Sequence, residues 1–177
     1  MDYRKLNRRN FIFLLFILAA CVTGGRSIFG YWTLLVGYHN SGAELSAYMA
    51  SEMYMMYLGF LVCIIGSIVM SFLSKAKVSR RFFIIRNIFI VASLVLANMS
   101  LPNITIMSTV VMSRYIGDTA MLEYALSSPL LVSATTRPYL YYAYMVAEVL
   151  MVVIGALSIY RYFVDKRSNN NYNNMNM

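Results

Sequence analysis

Histidine occurs once in these 177 residues, cysteine twice, proline three times, and acidic residues number only seven. With His39 alone, placed in a predicted outer connector, the chain by itself builds no bis-histidine haem and no multi-histidine iron, zinc or copper centre. Ser-His, Cys-His and HExxH catalytic sets are excluded for the same reason. No CxxC accompanies Cys21 and Cys63, so both read as packed, inert free thiols. Gly24-Gly25 lies within an apolar stretch, and no glycine-rich phosphate loop is present.

Apolar residues supply what is missing elsewhere: 60% of the chain is hydrophobic. Four stretches, Phe11 to Val36, Leu45 to Leu73, Phe82 to Leu101 and Tyr139 to Phe163, are each long enough to cross a hydrocarbon core of ~30 Å, which takes ~20 helical residues. The run from Phe11 to Val22 is apolar on every face, which a water-soluble amphipathic helix is not. The spacing predicts an all-α integral membrane protein, a four-transmembrane-helix bundle in residues 1–167 with a polar Asn-rich tail over 168–177. That tail has little apolar surface to offset its ordering entropy and is expected to lack structure without a partner. The first stretch is longer than the apolar region of a signal peptide and is expected to be retained.

Twelve of the 15 Lys and Arg residues precede the first span, lie around the start of the third, or follow the fourth. By the positive-inside tendency both termini are expected in the cytoplasm, with the plasma membrane of a prokaryote as the expected location. The net charge of +8 thus reports topology and anionic headgroups. Basic residues interleaved with stacking aromatics on an exposed platform are missing, so nucleic acid is not an expected partner. Between spans three and four, Pro102 to Pro138 is too apolar to hang in water and is expected to be ordered over the bundle or against another chain. Within it Ile104 to Met112 can continue the third helix outward or lie in the interface, and Asp118 to Leu126 reads as a short amphipathic helix after Gly117.

Polar residues inside the spans are the candidate site. Counting ~1.5 Å per residue from the basic ends puts Arg26 at ~22 Å, Glu148 at ~20 Å and Asn98 at ~24 Å, while Glu52 lies further out at ~34 Å. An unpaired charge at mid-membrane costs at least ~2.5–3.5 kcal/mol, so Arg26 and Glu148 are expected to pair, with Asn98 in the same plane and Tyr144 nearby. The pair reads first as a structural tie between spans one and four, and secondly as a ligand or proton site. Thr23, Gly24, Gly25 and Ser27 around it suit close helix approach.

Met49, Met53 and Met56 share one helical face, and soft thioethers suit Cu(I). Met49 and Met53 form a Met-x3-Met pair that resembles the one near the outer end of a membrane helix in copper-importing channels of the Ctr type. That resemblance, which covers five residues, implies Cu(I) binding at Met49 and Met53, with Met56 a further thioether on the same face, although the chain departs from the family in its four spans, its N-terminal orientation and its lack of a Met-rich outer arm. Otherwise the methionines are adaptable packing against neighbouring helices. The leading expectation is an accessory subunit of a larger membrane assembly, with a respiratory or other redox complex as the candidate class. Its partners are the bilayer and other integral subunits; it binds no metal or haem on its own, and a quinone or lipid can sit at a helix interface. The competing expectation is a small stand-alone quinone-linked oxidoreductase or a carrier of small solutes or Cu(I).

Overall fold

A computed structural model describes the backbone of residues 3–37, 43–74, 79–127 and 139–175, and the side chains of residues 8–34, 44–74, 79–127 and 141–164. His39 and residues 128–138 lie outside the described residues. Five helices follow in order: α1 Tyr3–Gly37, α2 Ala43–Leu73, α3 Arg80–Ile116, α4 Thr119–Ser127 and α5 Tyr139–Met175. No strand occurs among the described residues, and four helices are long and apolar enough to cross a membrane. The protein is an all-α integral membrane protein, and its apolar outer surface is lipid-facing.

Why these four helices form one bundle is visible in the spacing of their buried residues. On α1 the buried positions are Phe13, Ile17, Ala20, Gly24, Ser27, Gly30 and Leu34; on α3 they are Arg86, Ile90, Ser93, Ala97, Ser100, Ile104, Ser108 and Val111, with Asn103 and Ser113 beside that stripe. Steps of three and four residues along these stripes are the seam of left-handed helix packing. The seams are rich in Ala, Ser and Gly, which allow backbones to approach closely where no hydrophobic force drives helices together. Helix α1 packs against α2, α2 against α3, α3 against α5, and α5 closes the ring against α1.

Close contacts set the register. Ser27 Oγ donates to Met53 O at 3.0 Å, a Cβ on Gly30 would stand 3.2 Å from Met53 Cβ, and Arg9 Nη1 donates to Leu73 O at 3.5 Å. At the same end of the bundle Arg161 Nη1 donates to Ser79 Oγ at 3.1 Å, with its guanidinium 4.2 Å from the Phe82 ring centroid. Arg8, Arg9, Arg80, Arg81 and Arg161 therefore gather at one end of the molecule, its basic end.

Helix α3 runs for 37 residues and passes through Pro102, where the third span was expected to stop. A proline removes one N–H, yet in a membrane-spanning helix neighbouring groups tolerate this. The outward continuation of helix three is as the apolar run from Ile104 to Met112 suggested. It ends at Gly117, in the left-handed conformation at φ 75°, where Gly117 N–H and Asp118 N–H both reach Ser113 O at 3.0 and 3.1 Å. Asp118 then caps α4, its Oδ1 accepting from Met121 N–H at 2.9 Å. The outer segment is thus ordered through Ser127, with α4 folded against α3. The Asn-rich tail corrects its expectation: the backbone of α5 continues as helix to Met175. Extending an existing helix adds a hydrogen bond per residue without a new nucleus, a term that composition alone omits.

Candidate functional site

Arg26 does not meet Glu148. Its Nε and Nη2 donate to Glu52 Oε1 and Oε2 at 2.7 and 2.8 Å, a bidentate fork on the flank of α1 and α2. The expected level was sound, because Gly24, two residues before Arg26, lies directly against Glu148. The direction was not. Two residues turn a helix by ~200°, so when Gly24 faces α5, Arg26 points away from it. The α1–α2 register also brings Glu52 nearer than end-counting implied. Measured from the Arg9–Leu73 contact, Arg26 and Glu52 differ by only ~6 Å in height, within reach of an arginine side chain. Arg26 is 41% exposed and Glu52 19%, and the guanidinium lies 5.5 Å from the Phe29 ring centroid.

Glu148 instead occupies a notch made by glycine. Its side chain is 8% exposed, and a Cβ on Gly24 would collide with Oε2. That same Cβ would stand 2.9 Å from Phe60 Cδ2, so the carboxyl is enclosed by the α1 backbone on one side and an α2 aromatic ring on another. Oε2 has no hydrogen-bond partner. One turn along α5, Tyr144 Oη donates to Gly24 O at 3.3 Å, so both α5 side chains converge on one residue of α1. Tyr144 is fully buried, edge-on to Tyr57 and Phe60 with ring centroids 5.3 Å away in each case. Tyr57 Oη donates to Ala97 O at 2.6 Å and Tyr141 Oη to Ile28 O at 3.4 Å, with Tyr141 stacked on Tyr31 at 3.7 Å between centroids. These phenols tie α2 to α3 and α5 to α1.

Of the sequence-predicted residues, Glu148 and Tyr144 come together, whereas Arg26 and Asn98 do not join them. Asn98 is exposed, and its Nδ2 donates to Leu94 O of its own helix at 2.8 Å. Met53 is buried against Gly30 and Met49 packs partly buried on the same core, while Met56 is half-buried. Cys21 and Cys63 are free thiols. No group of three or more His, Cys, Asp or Glu able to hold a metal ion occurs among the described residues.

One buried ionic residue escaped the sequence reading. Arg86, 3% exposed, donates through Nη2 to Ser71 O at 2.9 Å and to Ser74 Oγ at 3.3 Å. Its guanidinium sits 4.4 Å from the Phe13 centroid and 5.6 Å from that of Phe83. A cation at the C-terminal turn of α2 meets the negative end of the helix dipole and its unbonded carbonyls, and two aromatic faces complete the cage. Its signal lay in the α3 seam: Arg86 is four residues before Ile90 and seven before Ser93, on the buried stripe.

Comparison of the chain with family models, curated proteins and solved structures finds no match. What the fold itself defines is a four-helix integral membrane bundle with a polar site between α1 and α5.

Proposed function

We propose that this chain is an accessory integral-membrane subunit of a larger assembly whose redox or other cofactors are carried by partner chains, with its basic end in the cytoplasm. The observation that carries this reading is the tip formed by the end of α3 and by α4. Tyr115, Ile116, Met121, Tyr124 and Leu126 are all exposed there, Ile116 by 63% and Tyr124 by 75%. Helix α3 is ~55 Å long against a hydrocarbon core of ~30 Å, so apolar residues at its far end and on α4 reach past the lipid tails. Exposed apolar residues in that zone fit a protein partner. Support also comes from the interior, where Tyr57, Tyr141, Tyr144 and Ser27 all donate to carbonyls of neighbouring helices and so serve assembly of the bundle.

A photo-crosslinking residue at Tyr124, activated in native membranes and followed by mass spectrometry after mild detergent extraction, tests the reading. The expected product joins this chain to a different integral membrane protein. Crosslinks to lipid alone, or to further copies of this chain alone, overturn it.

A further inference from the structure

We propose that Glu148 is a proton-binding site in the membrane interior, a carboxyl that takes up and releases a proton within the α1–α5 seam. This goes beyond an accessory role and stands on separate residues.

Three observations carry it. First, Glu148 lies ~20 Å from the basic end, counted over the thirteen residues to Arg161, and therefore within the hydrocarbon level. Second, among the described residues the one cation at its height, Arg26, is held by both oxygens of Glu52, and Oε2 of Glu148 is buried without any partner. The titratable groups within electrostatic reach of Glu148 are Cys21 on α1 and Tyr144 on its own helix, neither a cation, and the backbone N–H of Gly25 is the polar group that faces its carboxyl from α1. Helix α2 presents Phe60 to it, and the buried seam of α3 near this height carries Ile90, Ser93 and Ala97. Third, the notch is tight. A metal cation needs several oxygen ligands in a shell, and the α1 backbone at Gly24 and the Phe60 ring occupy that space. A proton needs no cavity.

The carboxylate has one chemically simple way to exist here without a counter-ion, which is to form an O–H bond. Intramembrane ionisable groups that face a bundle interior are commonly functional because keeping them is expensive. Gly24 is then the residue that makes the site, since any side chain there would expel the carboxyl.

A membrane-permeant carbodiimide tests this in the intact protein, in native membranes. The carboxyl O–H adds across one C=N bond of the reagent, with oxygen bonding carbon and the proton passing to nitrogen. The acyl group then shifts from oxygen to the other, unprotonated nitrogen while the carbon–oxygen bond becomes the urea carbonyl, giving a stable N-acylurea with no oxidation or reduction. The expected result is an adduct on Glu148, read by peptide mass spectrometry, whose rate of formation falls about tenfold per pH unit above a single midpoint, as one titrating proton requires. Labelling of Glu52 serves as the internal comparison and stays low. No adduct on Glu148 at any pH in the folded protein, or labelling without pH dependence, overturns the proposal. Protection by Na+ at fixed pH also overturns it, in favour of a metal cation. These readings use the wild-type chain, so they do not depend on whether Glu148→Gln folds.

Discussion

Glu52 and Glu148 are two carboxyl groups set against the same helix, α1, within a few turns of each other, and their surroundings are opposite. Glu52 stands on the flank, partly exposed, with both oxygens in the fork of Arg26. Glu148 stands in the seam, shielded by a glycine and an aromatic ring, with one oxygen unbonded. At a flank, water or headgroups can take over when a partner is lost, so the pair orients α1 against α2 without carrying the bundle. In the seam no replacement exists, and the shape of the backbone decides what the carboxyl does. The visible ion pair is therefore the less consequential of the two sites.

The comparison is broken most forcefully at Gly24. Gly24→Leu puts a side chain where Oε2 and Phe60 already are, and a loss of about 3 kcal/mol is expected, at the upper end of overpacking costs. Reversible unfolding in mild detergent measures it; a loss below that of Glu52→Gln would remove the distinction between seam and flank. Next comes Arg86→Met, which takes the guanidinium from the Ser71 carbonyl and the Ser74 hydroxyl, leaving that carbonyl only the Ser74 hydroxyl, and is expected to cost about 2 kcal/mol by the same assay. Stability equal to wild type would show that the α2 terminus needs no cap. Tyr57→Phe removes a single hydroxyl tie to Ala97 and should cost ~0.6–1 kcal/mol, the usual worth of one interhelical hydrogen bond in a membrane. The smallest effect belongs to Glu52→Gln, for which the melting temperature should move less than for any of the other three. If it moves most, the flank pair holds the bundle and the ranking of seam over flank is inverted.

The spans and the level of Glu148 were legible in the sequence because hydropathy and helical rise are properties of one helix at a time. Depth counting placed Arg26 and Glu148 on one plane, and Gly24 against Glu148 bears that plane out. Azimuth was not legible in the same way, since it depends on which face each helix turns to its neighbours. The spacing that reveals it, Phe13, Ile17, Ala20, Gly24 and Ser27, puts Gly24 on the seam and Arg26 off it. The same spacing on α3 leads from Ala97 and Ile90 back to Arg86, a residue that charge counting had grouped with those at the membrane surface. Gly117 and Asp118, by contrast, announce the α3–α4 turn through their own backbone preferences, so that turn was readable locally.

Much of the polar inventory of α3 is met within the helix: Ser93 Oγ donates to Phe89 O, Asn87 Nδ2 to Phe83 O, Thr109 Oγ1 to Thr105 O and Ser113 Oγ to Thr109 O, while Arg86 reaches across to α2. A helix whose hydroxyls are met largely by its own carbonyls can be released into lipid before a neighbour has arrived. Helix α5 cannot, because Glu148 is welcome only beside Gly24. Synthesis from the N terminus delivers α1 first and α5 last, so the order of emergence matches the order of need. The glycine that shapes the seam is in the bilayer, waiting, before the carboxyl that requires it leaves the ribosome.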